Sequence, residues 1–463
     1  MKKAIKSLLG ISILTCVLCM VSACSEKIDQ STIGDQQNVT KTCSMTFNGG
    51  VVGYDQVDTR TTTASQTSTW TEGDKIYITF YNGTTVVPGE ATYLETGGWT
   101  VNYDGDLPTG SGLTCEVRYF ENASFTSQYL VSLTPQTAVY ECLTGSYEYD
   151  GTTIALTAAL TPKVGRIRFS GTAGQEITLT GLTTFTTFSP ANNTFHSSNS
   201  MFNIAVDNTG YTPYIYATFS SDSRKLGLIG TDTAFTRTCD ENILNTGQSG
   251  YMAIPTLNSY NNWRYGLVVS VDGCEFKMIP VSGHSSGFFL LGETEVTQGL
   301  YYKLINSSVS TMPDYPITSV TYDSFLNAVT QLNTLTGLNF SLPTSSQWLY
   351  AATGGSLSQG YTYAGSNYVD DVAWYSGNSS SGIHPVKQLA PNELGIYDMS
   401  GNVEEYTSTR YSTSYSYSYY LCGGSWNHSA NQVTSSYSRY NAYSSDSYTD
   451  FSTAGFRLKL TCN

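Results

Sequence analysis

Clustered positive charge is the first thing that this sequence lacks. Its 463 residues contain 22 Lys and Arg against 36 Asp and Glu, so the formal net charge is −14. Contacts to nucleic-acid phosphates need grouped Lys and Arg side chains. The composition therefore argues against a nucleic-acid partner.

Signatures of metal clusters and of membrane spans are scarce as well. The chain has four histidines, and the seven cysteines that follow Cys24 are too widely spaced for a zinc pattern. We predict Cys422 and Cys462 as the first disulfide pair to test, because both lie at edges of the last domain. After the N-terminal segment, no stretch is long and apolar enough to cross a bilayer.

The N-terminus has the features of an export signal. Lys2, Lys3 and Lys6 precede an apolar run, Leu8 to Met20, that is too short for a membrane span. Val21-Ser22-Ala23-Cys24 then resembles a bacterial lipobox, which implies removal of residues 1–23 and lipidation of Cys24. The alternative is an ordinary secretory signal with an incidental cysteine. The short acidic stretch that follows, with Glu26 and Asp29, resembles the surface-export signal of Bacteroidetes lipoproteins. This resemblance implies a surface-exposed lipoprotein of the outer membrane, with residues 24–42 as a linker.

Residues 43–165 are predicted to form a first β domain. Ile76, Ile78 and Phe80 alternate with Tyr77 and Thr79, the period-two pattern of a half-buried strand. Thr59-Arg60-Thr61 followed by Trp70-Thr71-Glu72-Gly73-Asp74-Lys75-Ile76 resembles the fimbrillin-like lipoproteins of Bacteroidetes. That resemblance implies two β-sandwich domains, strand donation between pilin subunits, and a maturation cut after an arginine. Arg60 is the candidate, and a surface arginine in a Thr-rich loop is the alternative.

Residues 166–307 are predicted to form the second β domain. Leu267, Val269 and Val271 lead into Asp272-Gly273, and Cys274, Phe276 and Met278 lead out. Asp-Gly between alternating runs favours a type I′ hairpin. Glu295-Val296-Thr297-Gln298 fits either the end of this domain or the start of the next one. We place the boundary at 308, in a Ser-, Pro- and Met-rich linker.

Two capped helices open the last domain, residues 308–463. Thr321 and Gly337 are predicted to cap and stop the first, and Thr344-Ser345-Ser346-Gln347 forms a capping box for the second. The motifs that follow are Trp348, His384-Pro385-Val386, Asp398-Met399-Ser400-Gly401-Asn402-Val403, Gly423-Gly424-Ser425-Trp426 and Gly455-Phe456-Arg457. Together they resemble the formylglycine-generating-enzyme family, which implies an α+β C-type-lectin-like fold. The predicted fold class is therefore multidomain, with two all-β fimbrillin-like β-sandwich domains before this one.

Some positions of the sequence differ from that family, and these differences determine which catalytic chemistry we expect. In its oxidising members two cysteines bind copper, and the corresponding positions here are His428 and Val433. Copper(I) needs soft thiolate ligands, so we expect neither copper binding nor enzymatic activity. A calcium-binding turn is implied at Asp398 and Glu405, with main-chain oxygens of Gly401 and Val403, since these are hard oxygen ligands. The alternative is a tight turn retained for packing, with its acids exposed to solvent.

The segment around these motifs is rich in Tyr, Ser and Asn, which are typical of recognition surfaces. It resembles the variable region of proteins diversified by retroelements; a flexible low-complexity loop is the alternative. Trp426 and Phe456 are predicted as core residues. The predicted ligand contacts are Tyr411, Tyr415, Tyr417, Asn427, His428, Asn431, Ser435, Tyr437, Tyr440, Asn441, Tyr443, Asp446, Tyr448 and Asp450.

The function predicted from the sequence is that of a pilus-tip-like adhesin. Its partners would be a protein or glycan ligand on another cell or host surface, other pilin subunits, and the outer membrane through the lipid anchor. A structural pilus subunit without its own ligand and a formylglycine-generating-type oxidase are the two alternatives.

Overall fold

The structure, a computed structural model, describes residues 40–51, 70–121, 123–127, 130–199, 201–255, 263–307, 310–412, 417–440 and 451–462. Cys24 and Arg60 lie outside these residues. Within them, no helix has the length and apolar character needed to cross a membrane.

The first unit is a closed β-barrel, not the predicted β-sandwich. Its seven strands follow the order β1-β4-β3-β2-β5-β8-β9 around the barrel. Strand β1 closes the sheet, because it pairs with β4 in antiparallel and with β9 in parallel orientation. The strands of this part of the chain are β1 Thr40–Val51, β2 Lys75–Asn82, β3 Thr85–Tyr93, β4 Trp99–Asp104, β5 Gly110–Glu121, β6 Ser124–Ser127, β7 Leu130–Ser132, β8 Ala138–Tyr149 and β9 Thr153–Pro162.

Strand β2 is buried on both faces, whereas the alternating pattern predicts a half-buried strand. Ile76, Ile78 and Phe80 point into the barrel core as expected. Tyr77, on the other face, packs with Phe120 and other aromatic residues between the barrel and the second unit. The outer face is therefore covered by a neighbouring unit, which a local pattern does not reveal.

The second unit is a sandwich of two sheets. One sheet has the order β18-β10-β15-β12-β7-β6, with β13 paired to β12, and the other has the order β14-β11-β16-β17-β19. Side chains from both sheets, such as Phe169 and Leu228, share one core. The strands are β10 Gly165–Ser170, β11 Glu176–Thr180, β12 Leu182–Ser189, β13 Thr194–Ser198, β14 Phe202–Ala205, β15 Ile215–Phe219, β16 Lys225–Ile229, β17 Ala234–Thr238, β18 Ser249–Ala253 and β19 Arg264–Tyr265.

The barrel and the sandwich are connected by strand pairing and side-chain contacts as well as by the covalent chain. Strand β7 comes from the segment between two barrel strands, yet it pairs with β12 of the sandwich. Barrel residue Arg118 is 5% exposed, pairs with Glu116 at 2.8 Å, and donates a hydrogen bond to Asn193 in the β12–β13 turn. Its guanidinium lies 5.3 Å from the centre of the Phe188 ring.

The C-terminal unit is α+β, as predicted. It has one five-stranded sheet, β20-β21-β22-β28-β23, and one four-stranded sheet, β26-β25-β24-β27. Its elements are β20 Leu267–Val271, β21 Cys274–Val281, β22 Phe289–Gly292, α1 Gln298–Leu304, α2 Tyr322–Thr336, β23 Phe340–Ser341, α3 Ser345–Ala352, α4 Val369–Val372, β24 Glu404–Ser412, β25 Tyr417–Cys422, β26 Ser438–Tyr440, β27 Ala454–Phe456 and β28 Lys459–Thr461, with 3₁₀ turns at Gly355–Leu357, Ala430–Gln432 and Phe451–Thr453.

The C-terminal sheet begins well before residue 308. Strand β22 pairs with β28, with Phe289 opposite Thr461, so the β20–β22 segment belongs to this unit and not to the second β domain. The hairpin itself is confirmed, since Asp272 and Gly273 both have positive φ and β20 pairs with β21. The sequence pattern specifies the hairpin but not the sheet that its outer strand joins.

The predicted helix caps are confirmed. Thr321 accepts a hydrogen bond from the Ser324 N–H, and Gly337 ends α2 at φ 68°. Thr344 and Gln347 form both halves of the capping box of α3. These local hydrogen bonds fix the ends of the helices that support the four-stranded sheet.

The predicted disulfide is absent. Cys422 and Cys462 are free thiols, like the other five described cysteines. Cys422 lies in the core around Trp348, and Cys462 packs against the separate core around Phe325. The prediction was wrong because it used positions in the sequence and not the side of the sheet on which each thiol lies.

Candidate ligand-binding face

A buried ion pair links the four-stranded sheet to the five-stranded sheet. Glu405 in β24 and Arg457 after β27 are both fully buried. Arg457 Nη2 lies 2.6 Å from Glu405 Oε1, and Nε lies 3.0 Å from Oε2. Arg457 also donates to the carbonyls of Gly292 and Tyr397. One guanidinium thus connects β24, β22 and the turn before Asp398.

Two more acids lie beside this pair. Asp398 and Glu295 are buried, and the Lys387 N–H donates to Asp398 Oδ2 at 2.7 Å. Burial raises the pKa of Asp398 to about 6, against the opposing effects of Lys387 and Arg457. Burial and the Asp398 charge raise the pKa of Glu295 well above its usual range. Three carboxyl groups therefore lie around one guanidinium.

The predicted calcium ligands do not fit a cation in this arrangement. Both oxygens of Glu405 already accept hydrogen bonds from Arg457, and Oε2 also accepts one from Trp348 Nε1 at 2.5 Å. A divalent ion at Glu405 would face the guanidinium charge. The contacts favour a turn retained for packing, but its acids Asp398 and Glu405 are buried and not exposed to solvent as that alternative expected.

We call the buried cluster of Glu295, Asp398, Glu405 and Arg457 the frame. Tight backbone contacts hold the segment 423–437 against it. Gly424 has φ 68°, and a Cβ there would lie 2.1 Å from the carbonyl oxygen of Gln432. The Trp426 N–H donates to the carbonyl of Asn402 at 2.9 Å. Val433, at one of the two positions that correspond to copper-binding cysteines, is fully buried. The segment therefore has a fixed path under its exposed side chains.

His428, at the other of these positions, is half-buried and already has a partner. The Ser425 N–H donates to His428 Nδ1 at 3.0 Å, and the imidazole ring lies 5.9 Å from the Tyr437 ring. Burial lowers the pKa of His428. The residue is consequently a neutral, hydrogen-bonded part of the frame near neutral pH.

The predicted contact residues divide into three groups. Tyr411, Asn427 and Asn431 are exposed, while His428 and Tyr437 are half-buried. Only the main chain is described for Tyr417 and Tyr440. Those outside the described residues are Tyr415, Asn441, Tyr443, Asp446, Tyr448 and Asp450.

Two of the predictions for this segment are corrected. Ser435 is 4% exposed, because its side chain turns inward and donates to the carbonyl of Thr362 at 3.2 Å. Trp426 is only partly buried, although its indole nitrogen is shielded and has no hydrogen-bond partner among the described residues. Phe456 is fully buried, as predicted.

We call the surface formed by the exposed contact residues Tyr411, Asn427 and Asn431 the face. A second segment, which the sequence analysis missed, borders it. We call residues 361–379 the flanking loop. The Ser435 N–H donates to the carbonyl of Thr362, the Ser376 N–H donates to the carbonyl of His428, and Ser379 Oγ donates to the carbonyl of Trp426. The flanking loop has the same Tyr, Ser and Asn types as the predicted face, and that composition is the signal that could have identified it.

Comparison with known proteins gives one family match. The model of the FGE-sulfatase family, described as the sulfatase-modifying factor enzyme 1-like domain, matches residues 197–461. The match covers more than half of the chain and begins within β13. It includes the whole C-terminal unit up to the end of β28.

Individual relatives are similar over shorter or more divergent regions. The chain is 46% identical over 84 residues to the "Chaperone protein LppX" of Paenibacillus barcinonensis, and covers 30% of that relative's length. Treponema denticola variable protein 1 is 22% identical, with a TM-score of 0.37, over 42% of this chain and 98% of that one. A fimbrial protein from Bacteroides ovatus is 9% identical, with a TM-score of 0.24, over 90% of this chain and 98% of that one.

Proposed function

The chain belongs to the family of the sulfatase-modifying factor enzyme 1-like domain, and we propose that it uses this domain to recognise a ligand at the cell surface. In this proposal the protein is a lipoprotein adhesin, anchored in the outer membrane through Cys24. The barrel and the sandwich hold the C-terminal unit away from the membrane. The ligand is a protein or a glycan on another cell or on a host surface.

The observation that supports recognition is the contrast between the frame and the side chains on it. Glu405 and Arg457 are fully buried, whereas Tyr411, Asn427 and Asn431 on the elements they support are exposed. Tyr offers a large rigid contact area, and Asn offers adaptable hydrogen bonds. A rigid frame also lowers the entropy lost on binding.

The same geometry argues against an oxidase. The copper positions hold a buried valine and a hydrogen-bonded histidine, and neither supplies a thiolate. The sheet under the face contains one cysteine, Cys422, which is fully buried. Burial and the nearby Glu405 and Glu404 charges raise the pKa of that thiol far above neutral pH. We expect the purified chain to bind no stoichiometric copper(I); tight copper binding with oxidation of a peptide cysteine would overturn this part of the proposal.

Point variants test recognition better than a truncation. Deleting residues 308–463 would remove β28, the partner of β22, and would expose the core of the remaining sheet. We therefore propose the triple variant Tyr411→Ala, Asn427→Ala and Asn431→Ala in the intact chain. Contact residues that dominate an interface cost more than 1 kcal/mol each when truncated, so adhesion of cells that carry the protein should fall by about tenfold or more.

Tyr251→Ala is the matched control for this experiment. Tyr251 lies on β18 of the sandwich and is 48% exposed, so its loss removes a comparable surface tyrosine away from the face. Surface display of each variant is measured with an antibody. Unchanged adhesion of the triple variant at equal display would refute ligand recognition by this face.

A structural pilus subunit is the second candidate, and the position of β1 favours it. A cut after Arg60 would release the chain segment that contains β1, which lies between β4 and β9. Removal of β1 would leave both neighbouring edges unpaired, and an unpaired edge is a template for a strand from another subunit. Mass spectrometry of the N-terminus from intact cells, for the wild-type chain and Arg60→Ala, tests this. Assembly of Arg60→Ala that matches wild type would exclude the strand-exchange role.

Diversification of the face is tested in the neighbouring DNA. We expect a reverse-transcriptase gene and a near-copy of the 3′ coding region that differs at adenines. Sequencing of the locus in several isolates would show substitutions confined to the Tyr-, Ser- and Asn-rich segment. A locus without a second copy of this region would remove the diversification proposal but leave recognition in place.

A further inference from the structure

We propose that the flanking loop is part of the ligand-binding face, and that Tyr368 on it receives an arginine or lysine side chain of a partner protein. This inference rests on the recognition function proposed above and specifies the chemistry of its ligand. The flanking loop lies outside the segment that we expect to vary.

The position of the flanking loop makes it part of one surface with the predicted face. Its two ends are bonded to the segment 423–437, one near the end of that segment and the other in its first half. The distance from the Ser435 N to the Thr362 O is 3.0 Å, and the distance from the Ser376 N to the His428 O is 2.9 Å. A ligand that contacts Asn427 or Asn431 therefore meets the flanking loop beside them.

The flanking loop is rigid where it presents its tyrosines. Asn367 Oδ1 accepts from the Thr362 N–H at 3.0 Å, and Ser366 Oγ accepts from the Tyr368 N–H at 3.0 Å. The Ala364 N–H donates to Ser400 Oγ at 3.1 Å, which ties the flanking loop to the buried turn. Tyrosines held on a fixed backbone lose little entropy when they bind.

Tyr368 is nevertheless exposed. Its relative exposure of 76% is the highest among the exposed large apolar side chains of the described residues, and Tyr361 nearby has 38%. An aromatic side chain on a rigid loop that is this open to water has no packing role inside the described unit. Exposed tyrosines in such positions are typical of protein interfaces.

Charge selects the class of partner. The chain has no Lys or Arg between Lys303 and Lys387, while the acids in that interval include Asp370 and Asp371 beside Tyr368. Both aspartates are exposed. A tyrosine ring attracts a cation through its electron-rich face, and the neighbouring carboxylates increase that attraction at low salt. The surface is thus complementary to Arg or Lys side chains and repels acidic partners.

Peptide binding to the intact chain tests the inference. The chain is purified in detergent, and its affinity is measured for an immobilised arginine-containing peptide and for the same peptide with citrulline, the neutral isostere of arginine. A neutral oligosaccharide, chitohexaose, is the third probe. We expect the arginine peptide to bind more tightly than the citrulline peptide, with an affinity that falls as the salt concentration rises.

Substitutions locate the contact. Tyr368→Ala should weaken binding of the arginine peptide by about two- to fivefold, the size of an exposed cation–π contact. Tyr368→Phe keeps the ring and should bind like wild type, as should the control Tyr251→Ala. Equal binding of the arginine and citrulline peptides, an unchanged affinity of Tyr368→Ala, or a preference of this loop for chitohexaose would each overturn the inference.

The failure of this inference is distinguishable from failure of the proposed function. If Tyr368→Ala leaves both peptide binding and cell adhesion unchanged while the triple variant loses adhesion, recognition stands and the basic-partner inference falls. If the triple variant also adheres normally, the proposed function falls with it.

Discussion

Removal of the Arg457 charge is the sharpest test of how the ligand-binding face is held. Arg457 is fully buried, and its guanidinium is the one cation beside the carboxyl groups of Glu295, Asp398 and Glu405 in the described structure. Arg457→Met would leave these acids without a countercharge and would remove the donors to the carbonyls of Gly292 and Tyr397. Breaking a buried pair in this way costs about 3–5 kcal/mol.

A graded series separates charge from geometry. Arg457→Lys keeps the charge but loses the forked contact with Glu405, so we expect an intermediate loss of about 1–3 kcal/mol. Lys41→Met is the control, because Lys41 and Asp106 form an ion pair that is largely exposed. Exposed pairs contribute about 0–1 kcal/mol.

The free energy of unfolding has to be measured for the C-terminal unit alone, since a chain with several units need not unfold in one transition. Pulse proteolysis in urea provides this, with mass spectrometry of peptides from residues 267–462 for the Arg457 variants and of peptides from residues 70–121 of the barrel for the control Lys41→Met. A loss below about 1 kcal/mol for Arg457→Met, or one no larger than that of Lys41→Met, would refute the assignment of Arg457 as the centre of the frame.

Three further predictions concern the same unit. Burial raises the pKa of Asp398 from 3.8 to about 6, so the unfolded state loses this proton at lower pH than the folded state. Stability should therefore fall as the pH rises through that interval. Asp398→Asn should reduce the fall in urea titrations at several pH values, while Glu295, whose pKa is also raised, retains part of it. Gly401→Ala should destabilise more than Gly395→Ala in the same assay: both glycines have positive φ, but a Cβ at 401 would lie 2.2 Å from a carbonyl oxygen, while the space at 395 is open. Iodoacetamide should label Cys422 only after unfolding, as read by mass spectrometry, because that thiol is fully buried; rapid labelling of the folded chain would contradict its burial.

Local signals in the sequence were sufficient for the elements whose determinants are local. The cap at Thr321, the capping box at Thr344 and the Asp272-Gly273 turn each depend on hydrogen bonds or dihedral angles within a few residues. Those predictions are confirmed. The family motifs added the α+β fold of the C-terminal unit, because they recur in a fixed order along the chain.

Features that depend on distant partners were predicted less well. Closure of the barrel needs β1 to pair with β9, which follows it by more than a hundred residues, and no property of β1 alone specifies that partner. The inward turn of Ser435 depends on the carbonyl of Thr362, which belongs to another segment. The domain boundary was misplaced for the same reason, since β22 is assigned to its sheet by β28 at the end of the chain.

The pairing of β7 with the sandwich has a mechanical consequence. Strand β7 comes from the segment between two barrel strands and pairs with β12, and Arg118 reaches from the barrel to the β12–β13 turn. Bending between the two units would therefore have to break the hydrogen bonds between β7 and β12 and expose an aromatic cluster. We therefore expect the barrel and the sandwich to move as one rigid body. A pull on the sandwich would therefore reach the barrel with little stretch between the two units.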